Sequence, residues 1–159
     1  MSAIGFESHD HAACIRTALD RADAHCAARK LQFTDIRRRV LEILLRDHRA
    51  MGAYDILRHL EAEGRRAQPP VAYRALDFLV THGFAHKVEK LNAYIACGFP
   101  GENHHPAFMI CRLCDAVVEA RSNRGRGSLG GAADAAGFVI ENTVIEAEGV
   151  CPACQDQSA

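Results

Sequence analysis

The chain has 159 residues, of which 48% are hydrophobic and 25% are charged, and its formal net charge is −1. These values are typical of a soluble globular protein with one domain or two small ones. No basic segment followed by an apolar run opens the sequence, and no apolar stretch approaches the roughly 20 residues of a membrane span. We therefore expect a cytoplasmic protein with no membrane partner.

The charge is unevenly distributed along the chain. Residues 30–90 hold 12 Lys/Arg and 8 Asp/Glu, a net of +4, whereas residues 91–159 hold 4 and 8, a net of −4. A basic middle beside an acidic end favours a nucleic-acid-binding unit joined to a second unit. Solvated helix faces carry similar charges, so motifs must decide between the two interpretations.

The first half of the chain predicts four helices and then a hairpin. The first helix covers residues 12–29, and the second follows the N-cap residue Thr34. The third covers 54–63, and the fourth begins at Gln68, with two prolines tolerated in its first turn. Its predicted apolar stripe consists of Tyr73, Leu76, Leu79 and Val80. Short apolar segments at 84–88 and 93–96 then predict a β-hairpin.

This order of elements predicts an N-terminal winged helix-turn-helix over residues 1–96. In such a domain the recognition helix, here the fourth, lies in the major groove of DNA. Arg74 lies in its first turns, from which an arginine can bond to guanine O6 and N7 together. The alternative is a small α+β domain without a nucleic-acid role.

The second half predicts a small α/β domain over residues 107–159, after a junction at 97–106 that is rich in glycine, proline and histidine. Strands are predicted at 107–111 and 116–120, and a long strand at 138–148. A crossover helix at 128–136 is weakened by its glycines, each of which costs about 1 kcal/mol relative to alanine. The predicted fold class is thus α+β.

Two CxxC pairs, Cys111 with Cys114 and Cys151 with Cys154, occur in this second domain. Two intervening residues allow both thiolates of a pair to reach one ion, and four thiolates form the tetrahedral set that structural Zn²⁺ prefers. Seven cysteines without a secretory signal also suggest a reducing compartment, where thiols bind metal. A redox dithiol is the alternative for a single pair.

The chain resembles the ferric uptake regulator superfamily, and within it the zinc uptake regulators. The resemblance covers about residues 12–154 and is most specific from Pro69 to Glu89. Besides the two CxxC pairs, it is carried by the segments GAYD (52–55), PP (69–70), YRALDFL (73–79), GFAHKVE (83–89), YIAC (94–97) and VIEA (144–147).

The resemblance implies a second, regulatory zinc site made of His86, Cys97, His104 and Glu119. This N₂SO donor set suits Zn²⁺ but discriminates less against other divalent metals than four thiolates do. Read without the family, His86 could be a surface residue at a strand end, and Cys97 a small buried hydrophobe. His105 could replace His104 as a ligand. A third site among His9, His11, Cys14, His25 and Cys26 has unpersuasive spacing.

Further residues are candidates for contacts with DNA. Tyr54 matches a family residue that approaches the duplex, and Tyr73 could do so unless it packs in the core. Basic side chains are candidate phosphate contacts, and about half of them are expected to be merely solvated: Arg37, Arg38, Arg39, Arg65, Arg66 and Lys87.

The resemblance implies a zinc-responsive repressor that carries two Zn²⁺ per chain. As a homodimer joined through the second domain, it would bind palindromic DNA operators, take no small-molecule substrate and repress zinc-uptake genes. One alternative is a sibling sensor of iron, manganese or peroxide, against which the thiol of Cys97 argues. A zinc-dependent hydrolase would need an open coordination position and a general base. A thiol oxidoreductase would need a thiolate of low pKa.

Overall fold

A computed structural model of the chain describes residues 11–47, 49–122 and 127–157. The chain divides into two compact units at Pro100 and Gly101, and each is described by itself. The boundary lies within the segment that the sequence marks as a junction.

The described elements of the first unit are α1 (His11–Ala28), α2 (Asp35–Leu45), α3 (Ala53–Ala62), α4 (Pro69–Thr81), β1 (Ala85–Val88) and β2 (Ala93–Ala96). Those of the second unit are β3 (His105–Cys111), β4 (Val117–Ser122), α5 (Ser128–Ala136), β5 (Ile145–Gly149) and α6 (Pro152–Asp156).

Local signals in the sequence explain where the helices of the first unit begin. The Thr34 side chain accepts a hydrogen bond from the Arg37 backbone N–H at the start of α2. At the start of α3 the Asp55 carboxylate accepts one from the Gly52 N–H, at 3.1 Å. The first turn of α4 contains two prolines, whose missing N–H groups are not needed there.

Helices α1 to α4 and the hairpin enclose one apolar core in the first unit. Its fully buried side chains include Val40, Ile56, Leu60, Leu76 and Leu79. Helix α4 ends at Thr81, and Gly83, two residues later, has a φ of +77°, a left-handed conformation that glycine adopts without strain. The Phe84 N–H then bonds to the Leu79 carbonyl, at 2.8 Å. This cap turns the chain directly from α4 into the hairpin.

The second unit is built on a three-stranded sheet of order β4-β3-β5. Strand β3 pairs antiparallel with β4, which places Phe108 opposite Glu119, and parallel with β5, which places Cys111 opposite Gly149. Helix α5 forms part of the crossover from β4 to β5. The parallel pairing returns the end of the chain to the beginning of this unit.

Two expectations about these elements are wrong. The predicted long strand at 138–148 is shorter in the structure, where β5 begins only at Ile145. At its predicted start, the N–H of Phe138 bonds to the Ala133 carbonyl and closes the end of α5. In α4 the buried line consists of Ala72, Ala75, Leu76 and Leu79. Tyr73 and Val80 lie beside this line and are 41% and 37% exposed, so Tyr73 is not a core residue.

The other predicted helices and strands are confirmed to within two residues at either end, and so is the α+β fold class. This agreement includes the crossover helix, which the structure places at Ser128–Ala136 despite its glycines. None of the helices in the described ranges combines the length and hydrophobicity that crossing a membrane requires.

Candidate metal centres and nucleic-acid interface

The four cysteines of the CxxC pairs converge in the second unit. Cys111 ends β3 and Cys114 lies in the turn after it, whereas Cys151 precedes α6 and Cys154 lies within it. The pairing of β3 with β5, extended by a 2.9 Å bond from the Arg112 N–H to the Gly149 carbonyl, brings the two turns together. All four sulfur atoms lie within 4.8 Å of one another.

The spacing and electrostatics of this cluster fit a tetrahedral metal ion. Zn–S bonds of about 2.3 Å imply an S···S separation of about 3.8 Å, and the sulfurs of Cys114 and Cys151 are 3.7 Å apart. The Cys151 N–H points at Cys111 Sγ and helps to lower the pKa of that thiol to about 6. Hydrogen bonding with the neighbouring thiols, Cys151 first, raises the pKa of Cys154 to about 12. All four can therefore be thiolates at this spacing only around a cation.

Two of the residues expected at the second site lie together in the second unit. His104 precedes β3 and Glu119 lies on β4; their side chains are nearly buried, and His104 Nε2 is 2.7 Å from Glu119 Oε1. The other ring nitrogen, Nδ1, lies 2.9 Å from the Glu102 carbonyl oxygen. His105 is the first residue of β3, opposite Ser122. Thus His104, rather than its neighbour, contacts Glu119.

The other two residues of this set lie together in the first unit. His86 is on β1, and Cys97 directly follows β2, the strand that pairs with β1. The bond from the Cys97 N–H to the Phe84 carbonyl, 2.9 Å long, continues the ladder of the hairpin. A ring nitrogen of His86 lies within 4.8 Å of Cys97 Sγ. The hairpin thus presents one nitrogen and one sulfur donor side by side.

The structure exposes the residues expected to read DNA. Arg74 is exposed on the first turns of α4, and its Nε donates to the Pro70 carbonyl at 3.3 Å. Tyr73 precedes it, and Tyr54 is 63% exposed in the first turn of α3. An exposed arginine and two exposed tyrosines suit hydrogen bonds to a polyanionic duplex.

Most of the expected phosphate contacts already have partners within the first unit. Arg65 pairs with Asp35, and Lys87 lies 3.6 Å from Glu89.

Arg39 pairs with Glu63, and its guanidinium holds the pKa of that carboxyl below the usual value. Two further arginines are also engaged, since Arg38 pairs with Asp23 and Arg37 lies 3.9 Å above the ring of Phe78. Sequence reasoning counted these charges but could not place their acidic partners.

The third candidate metal site is not assembled in the described part of the chain. Cys14 is exposed, whereas Cys26 is buried in the core, where desolvation raises the pKa of its thiol. His25 packs edge-on against Phe84, with ring centroids 5.2 Å apart. None of the three joins a cluster of potential ligands among the described residues. His9 and the side chain of His11 lie outside the described residues.

Comparisons with known proteins agree on one family. No protein-family model matches the chain. It is 39% identical over 142 residues to the zinc uptake regulation protein of Escherichia coli K12, covering 89% of this chain and 83% of that protein. A zinc uptake regulator solved with zinc and DNA superposes with a TM-score of 0.84 at 38% identity, covering 91% of this chain and 97% of that one. The structure of holo XcZur superposes at 0.78 and 33% identity, covering 88% and 98%.

These relatives span both units at identities well above those at which only a fold is shared. The resemblance noted in the sequence is confirmed, and the chain belongs to the zinc uptake regulation proteins of the ferric uptake regulator superfamily.

Proposed function

We propose that this protein is a zinc-responsive transcriptional repressor, which binds palindromic operators as a zinc-loaded homodimer and represses zinc-uptake genes in the cytoplasm. The observation that carries the proposal is its similarity, over 91% of its length, to a zinc uptake regulator solved with zinc and DNA. That similarity is long enough to span both units.

The first unit supplies the DNA-binding surface. Helix α4 enters the major groove, where Arg74 reads a guanine edge, while Tyr54 and Tyr73 contact the backbone or the bases. Lys87 on the hairpin and Arg65 near α4 meet phosphates. Both now pair with carboxylates of their own unit, so each must exchange that partner for a phosphate oxygen. Their contribution to affinity is therefore smaller than that of an arginine with no such partner.

Two Zn²⁺ ions per chain are proposed. The four cysteines hold the first ion, which has no open coordination position and serves folding. His86, Cys97, His104 and Glu119 hold the second, regulatory ion. The donor chemistry fits zinc, because nitrogen, thiolate and carboxylate ligands are all ones that Zn²⁺ accepts. When bound, this ion links ligands from the two units.

Regulation follows from that linkage. Without the second ion, the two units sample many relative arrangements. Zinc selects the arrangement in which all four ligands can bind one ion. The size of the population shift is set by how much more tightly zinc binds that arrangement than the others. In a homodimer that state would present two recognition helices to successive major grooves, about 34 Å apart. Zinc thereby raises operator affinity when the metal is plentiful.

The second unit offers a surface for homodimerisation. Strand β5 lies at an edge of the described sheet, and a sheet edge is a place where strands of two chains can pair. Several large apolar side chains of this unit are also exposed: Leu129, Phe138, Val139, Val144 and Ile145. Exposed apolar side chains of this size suit an interface, and a second copy of the chain would cover them.

The protein is proposed to have no enzymatic activity. A hydrolytic zinc needs an open coordination position and a general base, and both proposed ligand sets are closed at four. A sibling role in sensing iron or manganese is disfavoured by Cys97, because thiolate favours zinc over those metals. A peroxide sensor of this superfamily would tend to use nitrogen and oxygen ligands at that position.

The decisive experiment combines metal analysis with DNA titration. Elemental analysis of the purified chain should give about two zinc ions, of which a strong chelator removes one. A duplex selected from a random pool on the zinc-loaded protein should then bind tightly with zinc and weakly after chelation. Equal affinity in both conditions would refute zinc control of DNA binding, and tighter binding with iron or manganese would favour the sibling sensor.

A further inference from the structure

We infer that the ion pair between Glu102 and Arg121 positions His104 for the regulatory zinc, so that Arg121 strengthens zinc binding although it touches no metal and carries a positive charge. The inference rests on the proposed function, because it takes His104 and Glu119 as ligands of one ion. All four residues belong to the second unit.

Glu102 makes two contacts that join the ligand to the sheet. Its carboxylate oxygens each lie 3.0 Å from Arg121 Nη2, and its backbone carbonyl lies 2.9 Å from His104 Nδ1. A carbonyl oxygen can only accept, so Nδ1 carries a proton. That leaves Nε2, 2.7 Å from Glu119 Oε1, as the nitrogen that would coordinate the metal. A second hydrogen bond of this type generally orients a metal-binding histidine.

The strand geometry explains why Arg121 can serve this purpose. Glu119 and Arg121 are alternate residues of β4, so their side chains leave the same face of the sheet. His104 lies in the loop before β3, outside the paired strands. The Glu102–Arg121 pair therefore fastens this loop to the strand that carries the other ligand.

Simple electrostatics predicts the opposite effect of removing Arg121. A guanidinium two residues from a metal ligand repels Zn²⁺, so its loss should tighten zinc binding if charge alone mattered. If Arg121 positions His104, its loss should weaken zinc binding. The sign of the change therefore distinguishes the two roles.

The test is a competition titration of the second zinc against a chelator, at low ionic strength, with Arg121→Ala, Glu102→Ala and the double variant. Because both side chains are more than half exposed, the chain should still fold, and we expect Arg121→Ala to weaken the second ion by about two- to fivefold. The double variant should be no weaker than Glu102→Ala, since the two residues act through each other. Unchanged or tighter zinc binding in Arg121→Ala would overturn the inference. So would a double variant whose loss of zinc affinity equals the sum of the losses in the two single variants.

A second readout is independent of DNA and of the regulatory ion. In the chain that holds only the structural zinc, the His104 Nδ1 proton should exchange slowly with solvent by ¹⁵N NMR, and faster in Arg121→Ala. Arg58→Ala breaks another exposed ion pair, with Asp55 in the first unit, and should change neither measurement. A wild-type chain that takes up only one zinc would overturn the proposed function and this inference together. Two zinc ions with a second affinity insensitive to Arg121→Ala would overturn the inference alone.

Discussion

Cys114→Ser tests the structural role of the sulfur cluster most directly. Replacing one thiolate by a hydroxyl leaves three sulfurs around the ion and removes one of its four protein bonds. Because the site joins the turn after β3 to the turn before α6, its loss releases the end of the chain from the sheet. We expect this variant to be much less stable than the wild type and largely monomeric.

The expected loss can be worked out from the structure. Four large apolar side chains are buried in the described part of the second unit, namely Phe108, Ile110, Val117 and Val118. At about 1.5–3 kcal/mol each, they contribute about 6–12 kcal/mol. A structural zinc ion contributes about 10–16 kcal/mol, as much as that whole apolar core. One ligand in four therefore accounts for about 2.5–4 kcal/mol, enough to lower the Tm by more than about 10 °C.

The assay is thermal unfolding together with zinc content and molecular mass in solution. Cys14→Ser is the matched control, because it makes the same chemical change at an exposed cysteine of α1. The control should keep the wild-type Tm and one ion that resists the chelator, whereas in Cys114→Ser the chelator should remove both ions. If both variants unfold alike and keep the same zinc content and dimer mass, the structural assignment of the cluster is wrong.

Three further predictions address regulation, DNA reading and pH. Cys97→Ser should leave a folded dimer whose operator affinity no longer rises with zinc; a full zinc response in a DNA titration would remove this residue from the sensor. Arg74→Ala should cost about 1–3 kcal/mol of operator binding and relax sequence preference. Lys87→Ala should weaken binding to operator and to scrambled DNA alike, and should lower the dependence of that binding on salt concentration. If Arg74→Ala binds the operator as tightly as the wild type, the recognition helix is misplaced. The ion pair with Arg39 lowers the pKa of Glu63 in the folded chain below its unfolded value of 4.5. The ion pair therefore stabilises the folded state fully above pH 4.5, and this stabilisation is lost as the pH falls through the lower pKa of the folded chain. Chemical denaturation should accordingly show Glu63→Gln less stable at neutral pH and equal to wild type in strong acid, and a difference that persists in acid would contradict this cause.

Local signals determined most of the fold. Helical spacing, the N-cap residue Thr34, the prolines before α4 and Gly83 after it act within a few residues, so their effect is visible in the chain itself. The two CxxC pairs likewise needed only spacing and thiolate chemistry to predict one ion. The strand predicted at 138–148 was too long because apolar residues also alternate where a chain leaves a helix. Phe138 is such a residue, since it closes the end of α5.

Contacts between distant residues were decided only by the tertiary structure. The sequence could not choose between His104 and His105, because adjacent side chains point in different directions. The choice depends on Glu119, 15 residues further along the chain. Nor could it find Glu102 and Arg121, or the carboxylates that already pair with Arg65 and Arg39. Such partners are set by which strands and helices pack side by side, and this packing depends on the whole unit rather than on any local pattern.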